Sequence, residues 1–263
     1  MIKFEIKNQH TAWLTLNNPT TSNSITYEMI DLLVSHLDQI EKNNQIRVVV
    51  ITGEGSNFCS GGDLNNMIKK AEMFQGDSNE LRVRYEQGIQ RISKAMDSFT
   101  KPIIAAVNGA AAGAGCDLAC MCDLRIGTDN SKFLESFVKI GLIPGDGGTF
   151  FLQRVIGFAK AMEMTLTGRT VKGSEALQMG LLNQLVAEND LHSATQKMAD
   201  QIAANAPIAV QMAKKAMRVS YLNDLQTSLD LLAAYQGITQ RTADHFEALR
   251  AIQEKRSPIF TGQ

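Results

Sequence analysis

Several features that mark common functional classes are missing from this chain. Its 263 residues carry 26 basic and 27 acidic side chains, and no basic run is interleaved with aromatic residues. We therefore expect neither nucleic acid nor an anionic membrane as a partner. No apolar stretch approaches the about 20 residues that a membrane-spanning helix needs. The N-terminus alternates like a strand and lacks the apolar core of a signal peptide, so we expect a cytoplasmic protein.

Histidine and cysteine are scarce, and their positions argue against two kinds of site. The four histidines are scattered and none adjoins a plausible nucleophile, so we expect neither a metal site nor a Ser–His–Asp triad. The four cysteines have neither the paired spacing of a metal site nor the pattern of a disulfide framework. We expect small thiols that fill the core at Cys59, Cys116, Cys120 and Cys122.

The hydrophobic pattern predicts an α/β core followed by a helical C-terminal part. Alternating or β-branched runs predict strands at Phe4–Ile6, Ala12–Leu16, Arg47–Thr52, Ile103–Val107 and Asp123–Thr128, the first two as a hairpin. Helical spacing predicts a helix capped by Thr26 and a second helix whose apolar face runs from Leu81 to Phe99. Further helices are predicted at Phe150–Ile156, Ala159–Leu166, Ser174–Met179, Leu191–Asn205, Pro207–Val219, Gln226–Gln236 and Ala243–Lys255. We expect residues 1–200 to form the core and residues 201–263 the helical part.

The segment Lys101–Asp123 is the most informative stretch of the sequence. It reads KPIIAAVNGAAAGAGCDLACMCD, which predicts a buried strand, a break, a run of small residues and an apolar helix. Gly113, Ala114 and Gly115 leave backbone N–H groups at the helix N-terminus accessible, and such donors suit an anion or a developing oxyanion. Asp117 lies just inside the helix, where it is either a candidate acid or base or a partner of the helix dipole.

A second glycine loop follows the predicted strand Arg47–Thr52 and reads NFCSGGDL. In a parallel sheet, both loops would leave the same carboxyl edge, where α/β folds bind ligands. Gly61 and Gly62 again leave their N–H donors unhindered. Two glycine loops that converge from neighbouring strands exceed what packing requires, so we predict one binding site between them.

Three motifs together resemble the enoyl-CoA hydratase/isomerase family, the crotonase superfamily. They read NFCSGGDL, KPIIAAVNGAAAGAGCDLACMCDLRI and GLIPGDGGT, and the similarity extends from LTLNNPTTSNSI near the start to EKRSPIFTG at the end. The resemblance implies a spiral of ββα units closed by C-terminal helices, assembled as a homotrimer or a dimer of trimers. It also implies an acyl-CoA thioester substrate and no separate cofactor, because coenzyme A is part of the substrate.

By position in these motifs, the resemblance assigns the N–H groups of Gly62 and Ala114 to an oxyanion hole for the thioester carbonyl. The residues that would contact the rest of the substrate are Ser22, Ser24, Asn57, Ser60, Gly61, Leu64, Gly113 and Phe137. The chemistry agrees with this assignment, because protons next to a thioester are weakly acidic. The enolate oxygen must therefore be stabilised where its charge develops.

The chain departs from the hydratase pattern at one of two positions. Family hydratases hold the added water between two glutamates, and the matching positions here are Asp117 and Phe137. A phenyl ring cannot hold or deprotonate water. An apolar neighbour would raise the pKa of Asp117 by desolvation and let it carry one proton between two carbons, as double-bond isomerisation requires. On this interpretation Asp117 is a lone proton carrier in an apolar pocket.

Two other acids could compensate for the missing glutamate. Glu135 would point to the same side as Phe137 in an extended segment, although the interpretation as an ordinary surface acid is favoured. Asp146 lies in a turn where some family isomerases carry a catalytic acid, one residue away from theirs. Its alternative role, slightly favoured, is to cap the helix near Thr149.

These features predict an enoyl-CoA isomerase or hydratase that works through an enolate, with isomerisation narrowly favoured. The segments KIGLIP and KRSPIFTGQ resemble the isomerases of phenylacetyl-CoA catabolism. The alternatives are a hydratase with a modified water site, an enzyme that decarboxylates or cleaves an acyl-CoA, and a non-catalytic acyl-CoA binder. The acid at position 117 and the two intact glycine loops argue against the non-catalytic binder.

Overall fold

A computed structural model describes residues 1–263 as alternating strands and helices. The strands are β1 (Ile2–Lys7), β2 (Thr11–Leu16), β3 (Val48–Gly53), β4 (Asn57–Cys59), β5 (Ile103–Val107), β6 (Ala110–Ala112), β7 (Leu124–Gly127), β8 (Lys132–Leu134), β9 (Thr170–Lys172) and β10 (Gln184–Leu185). The helices are α1 (Tyr27–Lys42), α2 (Leu64–Lys69), α3 (Ser78–Gln87), α4 (Gln90–Ser98), α5 (Ala114–Met121), α6 (Gly148–Ile156), α7 (Phe158–Thr167), α8 (Gly173–Met179), α9 (Leu191–Ala203), α10 (Pro207–Ser220), α11 (Leu225–Thr239) and α12 (Ala243–Glu254). Short 3-10 helices occupy Pro19–Thr21, Glu72–Phe74, Ser136–Ile140 and Glu188–Asp190. None of the helices combines the length and the hydrophobicity that a membrane crossing requires.

The strands form two sheets, and from β3 to β8 successive strands belong alternately to the larger and the smaller sheet. The larger sheet has the order β1-β2-β3-β5-β7-β10, and the smaller sheet has the order β4-β6-β8-β9. All neighbours are parallel except β1 with β2 and β8 with β9. Each of β3, β5 and β7 is followed by a short strand of the smaller sheet and then by a helical segment. This repeated step is the predicted spiral of ββα units, and the predicted α/β class is confirmed.

Strand β3 is buried on both faces because its β-branched side chains alternate between two hydrophobic cores. Val48 and Val50 pack with Ile104 of β5 beneath helix α9. Val49 and Ile51 point into the larger core, which lies between the sheets and helices α1, α4 and α5. The carboxyl ends of β3 and β5 are thereby fixed side by side, and the loops that follow them are fixed as well.

Several local predictions are confirmed. The predicted hairpin pairs β1 with β2, and its turn places Asn8 and Gln9 at positive φ. Thr26 caps α1 by accepting a hydrogen bond from the Met29 N–H at 3.2 Å. The division of the chain at residue 200 stays a prediction, and this residue falls inside α9.

The prediction of one helix with an apolar face from Leu81 to Phe99 is wrong, because the segment forms two helices, α3 and α4. Gly88 separates them with φ −105° and ψ −109°, values outside the helical region. A side chain at Gly88 would overlap the Arg84 carbonyl oxygen, so the close turn requires glycine. The helical spacing of the apolar residues continues across the break at Gly88, so the sequence pattern gives no sign of the break.

Candidate active site

The two glycine loops are in direct contact at the carboxyl edge of the parallel strands β3 and β5, as predicted. A methyl group at Gly61, whose φ is +79°, would lie 2.6 Å from the Ala112 carbonyl oxygen and 3.0 Å from the Ala114 nitrogen. A methyl group at Gly115 would overlap the Cys59 carbonyl oxygen. Only glycine at these two positions lets the loops approach so closely.

This contact leaves two neighbouring backbone donors free. Ala114 is the first residue of α5, so its N–H is not used by the helix. Neither the Ala114 N–H nor the Gly62 N–H donates a hydrogen bond within the protein. The site therefore offers a pair of donors near a helix N-terminus, an arrangement that favours negative charge on a bound oxygen.

Three carboxyl groups lie together next to these donors. Asp117 in the first turn of α5, Glu135 before the 3-10 helix Ser136–Ile140, and Asp146 before α6 are each at most 2% exposed. The Asp117 carboxyl is within hydrogen-bonding reach of both the Glu135 and the Asp146 carboxyls. We call these three residues the acid cluster. Its geometry does not form a site that could hold a metal ion.

The carboxyls of the acid cluster have few hydrogen-bond donors around them. No N–H or O–H group of another residue donates to either oxygen of Asp117 or Glu135, or to Asp146 Oδ1. Burial raises the pKa of all three carboxyls, and the charges of Asp146 and Glu135 raise the pKa of Asp117 further. Carboxylates this close repel one another when ionised, so the acid cluster holds its protons to higher pH than separate carboxyls would.

Three expectations are corrected by this arrangement. Glu135 is not a surface acid, because the chain turns into the 3-10 helix at this residue and the carboxyl is buried against Asp117. Asp146 does not cap the following helix, since α6 begins at Gly148 and none of its first N–H groups donates to a capping side chain. Asp117 is not a lone acid but the middle member of three.

Two close contacts hold the acid cluster and the glycine loop in place. A side chain at Gly148, the first residue of α6, would overlap the Asp117 carboxyl, so this carboxyl packs directly on the start of α6. The Phe137 ring lies 3.5 Å from the position of a methyl group on Gly113. Phe137 therefore lies at the site, as predicted, and covers the second glycine loop with an apolar surface.

An apolar pocket of about 740 Å³ opens beside Gly62. Its lining residues come from α2, α3, the 3-10 helices Glu72–Phe74 and Ser136–Ile140 and the residues that follow the latter, and they are Leu64, Met67, Ile68, Met73, Phe74, Ser78, Leu81, Arg82, Tyr85, Ile140 and Leu142. Met67 and Phe74 pack over Gly62, with side-chain atoms 2.5 Å and 3.3 Å from the position of a methyl group there. This pocket is large enough for an extended apolar group.

Tyr85 joins the apolar pocket to the acid cluster. It lines the pocket, and its ring lies 3.1 Å from the position of a methyl group on Gly145. Burial and the charges of Asp146 and Asp117 raise the pKa of Tyr85 to about 12, so its hydroxyl keeps its proton. Sequence reasoning predicts only an apolar helical position for Tyr85, because its place at the site depends on where Asp146 lies.

The predicted substrate-contacting serines and asparagine surround the first glycine loop. Asn57 Nδ2 donates to Ser22 Oγ at 3.1 Å, and Ser60 Oγ donates to the Thr21 carbonyl oxygen at 3.0 Å. Ser24 is buried and donates to the Thr21 hydroxyl. These residues are brought together by hydrogen bonds between two loops, and their contact with a substrate stays a prediction.

Comparisons with known proteins show the family to which this chain belongs. The enoyl-CoA hydratase/isomerase family model matches residues 7–263. The chain is 40% identical over 262 residues to the YngF protein of Bacillus subtilis (strain 168). The matched region covers 99% of this chain and 98% of that protein. It is 37% identical over 250 residues to the 1,2-epoxyphenylacetyl-CoA isomerase of Escherichia coli (strain K12), covering 95% of this chain and 94% of that protein. A crystal structure of an enoyl-CoA hydratase from Bacillus anthracis superposes with a TM-score of 0.92 at 32% identity and covers 100% of this chain and 99% of that one.

Proposed function

This chain belongs to the enoyl-CoA hydratase/isomerase family, and from its site we propose that it moves the double bond of an unsaturated acyl-CoA through an enolate. The observation that favours isomerisation is the burial of three carboxyls together, with that of Asp117 within hydrogen-bonding reach of those of Glu135 and Asp146. A hydratase needs a water molecule between two acids, whereas acids in contact exchange a proton without water.

The free N–H groups of Gly62 and Ala114 are the oxyanion hole of this proposal. They donate to the thioester oxygen of the substrate as negative charge develops on it, which is where hydrogen bonds lower the barrier most. The coenzyme A part, which contacts the loops around Ser22, Asn57 and Ser60, supplies binding energy away from the reacting carbons. The acyl chain extends into the apolar pocket.

The reaction moves one proton and two electron pairs. The Asp117 carboxylate removes a proton from the carbon between the thioester carbonyl and the β,γ double bond, and the C–H electrons form a dienolate. In the second step the electron pair on the enolate oxygen re-forms the carbonyl, and the double bond forms between the α and β carbons. The γ carbon takes the proton from Asp117. The product is the α,β-unsaturated thioester, and Asp117 regains its charge.

Phe137 is the second reason to favour isomerisation over hydration. It occupies the position of the second hydratase glutamate and packs on Gly113, so it offers no group that could orient water. Relatives do not decide between the reactions, because one relative is named an isomerase and a Short-chain-enoyl-CoA hydratase of Clostridium acetobutylicum is 32% identical over 246 residues.

Incubation with a β,γ-unsaturated acyl-CoA in heavy water tests the reaction. We expect conversion to the α,β isomer, followed by absorbance of the conjugated thioester, and no 3-hydroxyacyl-CoA by mass spectrometry. Formation of the hydroxyacyl product from the α,β isomer would establish hydration instead. Binding of both thioesters without turnover of either would establish a non-catalytic acyl-CoA binder.

The C-terminal helices supply the surface for the proposed homotrimer or dimer of trimers. Met217 on α10, Leu225 on α11 and Ile252 on α12 are 77%, 74% and 73% exposed in the single chain. Apolar side chains exposed along neighbouring helices are typical of an interaction surface. Sedimentation velocity should therefore give a particle of three or six chains, and a monomer at micromolar concentration would contradict the assembly.

A further inference from the structure

The apolar pocket beside Gly62 limits the kind of acyl group that this chain can take. Its volume of about 740 Å³ lies in the upper half of the range typical of ligand pockets, about 300–1,000 Å³. A methylene group is about as large as a water molecule, roughly 30 Å³, so a four-carbon acyl group would fill only about 120 Å³. The rest would hold water against apolar walls, which is unfavourable. The pocket therefore fits an acyl group much longer than the reacting carbons.

Helix α3 forms one wall of the pocket and gives its length. Ser78, Leu81, Arg82 and Tyr85 line the pocket from this helix, because residues three and four apart share a face. Tyr85 lies at the inner end, since its ring packs beside Gly145, close to the acid cluster. Ser78 precedes Tyr85 by seven residues, which is about 10 Å along the helix axis. An extended hydrocarbon chain advances about 1.25 Å per carbon, so this wall accompanies about eight carbons.

The two ends of the pocket differ in exposure. At the inner end, Met67 and Phe74 pack over the first glycine loop and are at least partly buried. At the outer end, Ser78 and Arg82 are exposed, and Ile68 of α2 is 80% exposed. An acyl chain longer than the wall would therefore emerge into solvent and not meet a closed end. The pocket buries a fixed number of methylenes and sets no sharp upper limit on length.

The pocket offers little to a charged acyl group. Arg82 is the only charged residue of its lining, and it lies at the exposed outer end. Its Nη1 donates to the Glu86 carboxylate at 2.7 Å on the solvent side of α3. A carboxylate at the end of a six-carbon acyl group would lie nearer the inner end, among apolar side chains. Burial of a charge without a partner is costly, so the inner part of the pocket excludes it.

We propose that the substrate carries an elongated, uncharged, apolar acyl group of about eight to twelve carbons, which lies along α3 from Tyr85 towards Ser78. The upper figure adds the about eight carbons along the wall to four reacting carbons beside Gly62 and Ala114. The inference rests on the proposed function, because that function places the thioester at these two donors. It adds the substrate class, and it excludes short-chain and short dicarboxylic acyl groups.

A series of β,γ-unsaturated acyl-CoA substrates with four to fourteen carbons tests the length. We expect kcat/KM to rise by up to about fourfold for each added methylene, the effect of its burial. The rise should stop at about twelve carbons, where the chain passes Ser78. A highest value for the four-carbon substrate would overturn the proposal. A flat series would also overturn it, because it would show that the neighbouring copy or another part of the chain fills the pocket.

A pair of six-carbon substrates that differ only in a terminal carboxylate tests the charge. We expect kcat/KM of the dicarboxylic thioester to be about 100-fold lower, because its carboxylate is buried without a partner. The matching twelve-carbon pair should differ by less than about threefold, since the carboxylate then reaches solvent beside Ser78 and Arg82. Equal values for the six-carbon pair, or an equally large loss for the twelve-carbon pair, would overturn the proposal.

A tryptophan in the outer half of the pocket tests where the chain lies. Leu81 precedes Tyr85 by about one helical turn, so Leu81→Trp places a ring across the proposed path. We expect the ratio of kcat/KM for twelve-carbon to six-carbon substrate to fall about tenfold, the loss of a few buried methylenes. Gln87→Trp adds the same ring at an exposed position of α3 outside the pocket, and it should keep this ratio. An unchanged ratio in a folded Leu81→Trp protein would overturn the proposal.

Binding of saturated acyl-CoA thioesters, which cannot isomerise, separates this inference from the proposed function. Isothermal titration calorimetry with the wild type should give a Kd that falls with chain length up to about twelve carbons. Such binding without turnover of any unsaturated thioester would contradict only the proposed function. Turnover with no dependence of Kd or kcat/KM on chain length would overturn only the proposed acyl group.

Discussion

Replacement of Asp117 by asparagine should lower kcat for isomerisation by about 10³-fold, within the range typical of a missing acid–base group. Asparagine has nearly the same size and fits against Gly148, but it cannot take a proton from the substrate. The affinity for the thioester should change little, because Gly62 and Ala114 bind the oxygen through backbone groups. Steady-state kinetics with the β,γ-unsaturated thioester and direct binding of the product measure the two effects separately.

The control for this variant is Asp129→Asn, which makes the same chemical change at an exposed position. It should leave kcat and KM unchanged. Asp117→Asn should remain folded, since it removes a carboxyl whose charge is disfavoured by burial, and its unfolding midpoint at neutral pH should not fall. Retention of more than a tenth of the wild-type kcat would show that another group, with Asp146 as the first candidate, is the base.

The acid cluster shows what a sequence pattern can and cannot supply. Asp117 was predictable, because its position after a glycine run at a helix start is local. The surface interpretation of Glu135 follows the usual exposure of acidic residues, and its burial could not be predicted because it depends on the turn into a 3-10 helix after β8 ends at Leu134. The carboxyl of Asp146 meets Asp117 across two loops, a contact between distant parts of the chain that no spacing encodes.

The strands of the fold likewise divide into those that the sequence predicts and those that it does not. Strand β3 was predictable from its β-branched run, and the hairpin from its alternation. The short strands β4, β6 and β8 were missed because three residues give no period, and Ala110–Ala112 contains no β-branched side chain. The short strands pair with one another because each follows one of the neighbouring strands β3, β5 and β7. Their formation therefore depends on the larger sheet and not on their own sequence.

Replacement of Ala114 by proline should lower kcat by about 10²- to 10³-fold, the effect of removing one oxyanion donor. Proline is tolerated at the first residue of a helix, because its N–H would be unused and its φ fits the helix. Gly113, which precedes it, has no Cβ to meet the proline ring, and Gly61, which packs against the Ala114 nitrogen, is the contact that the ring must accommodate. The substitution therefore removes the donor at a position where the helix does not need it, and kcat with the β,γ-unsaturated thioester measures the loss.

The matched control is Ala114→Gly, which keeps the N–H and removes only a methyl group. It should retain kcat within about threefold, although glycine weakens the helix start by up to about 1 kcal/mol. Urea unfolding of both variants shows whether the loop stays folded. If Ala114 belongs to the oxyanion hole, the proline variant should lose far more activity than its loss of stability explains. Equal activity in the two variants would show that the Ala114 N–H is not an oxyanion donor. Such a result would leave Gly62 and the start of α5 to stabilise the enolate, and the close approach enforced by Gly61 and Gly115 would then serve packing alone.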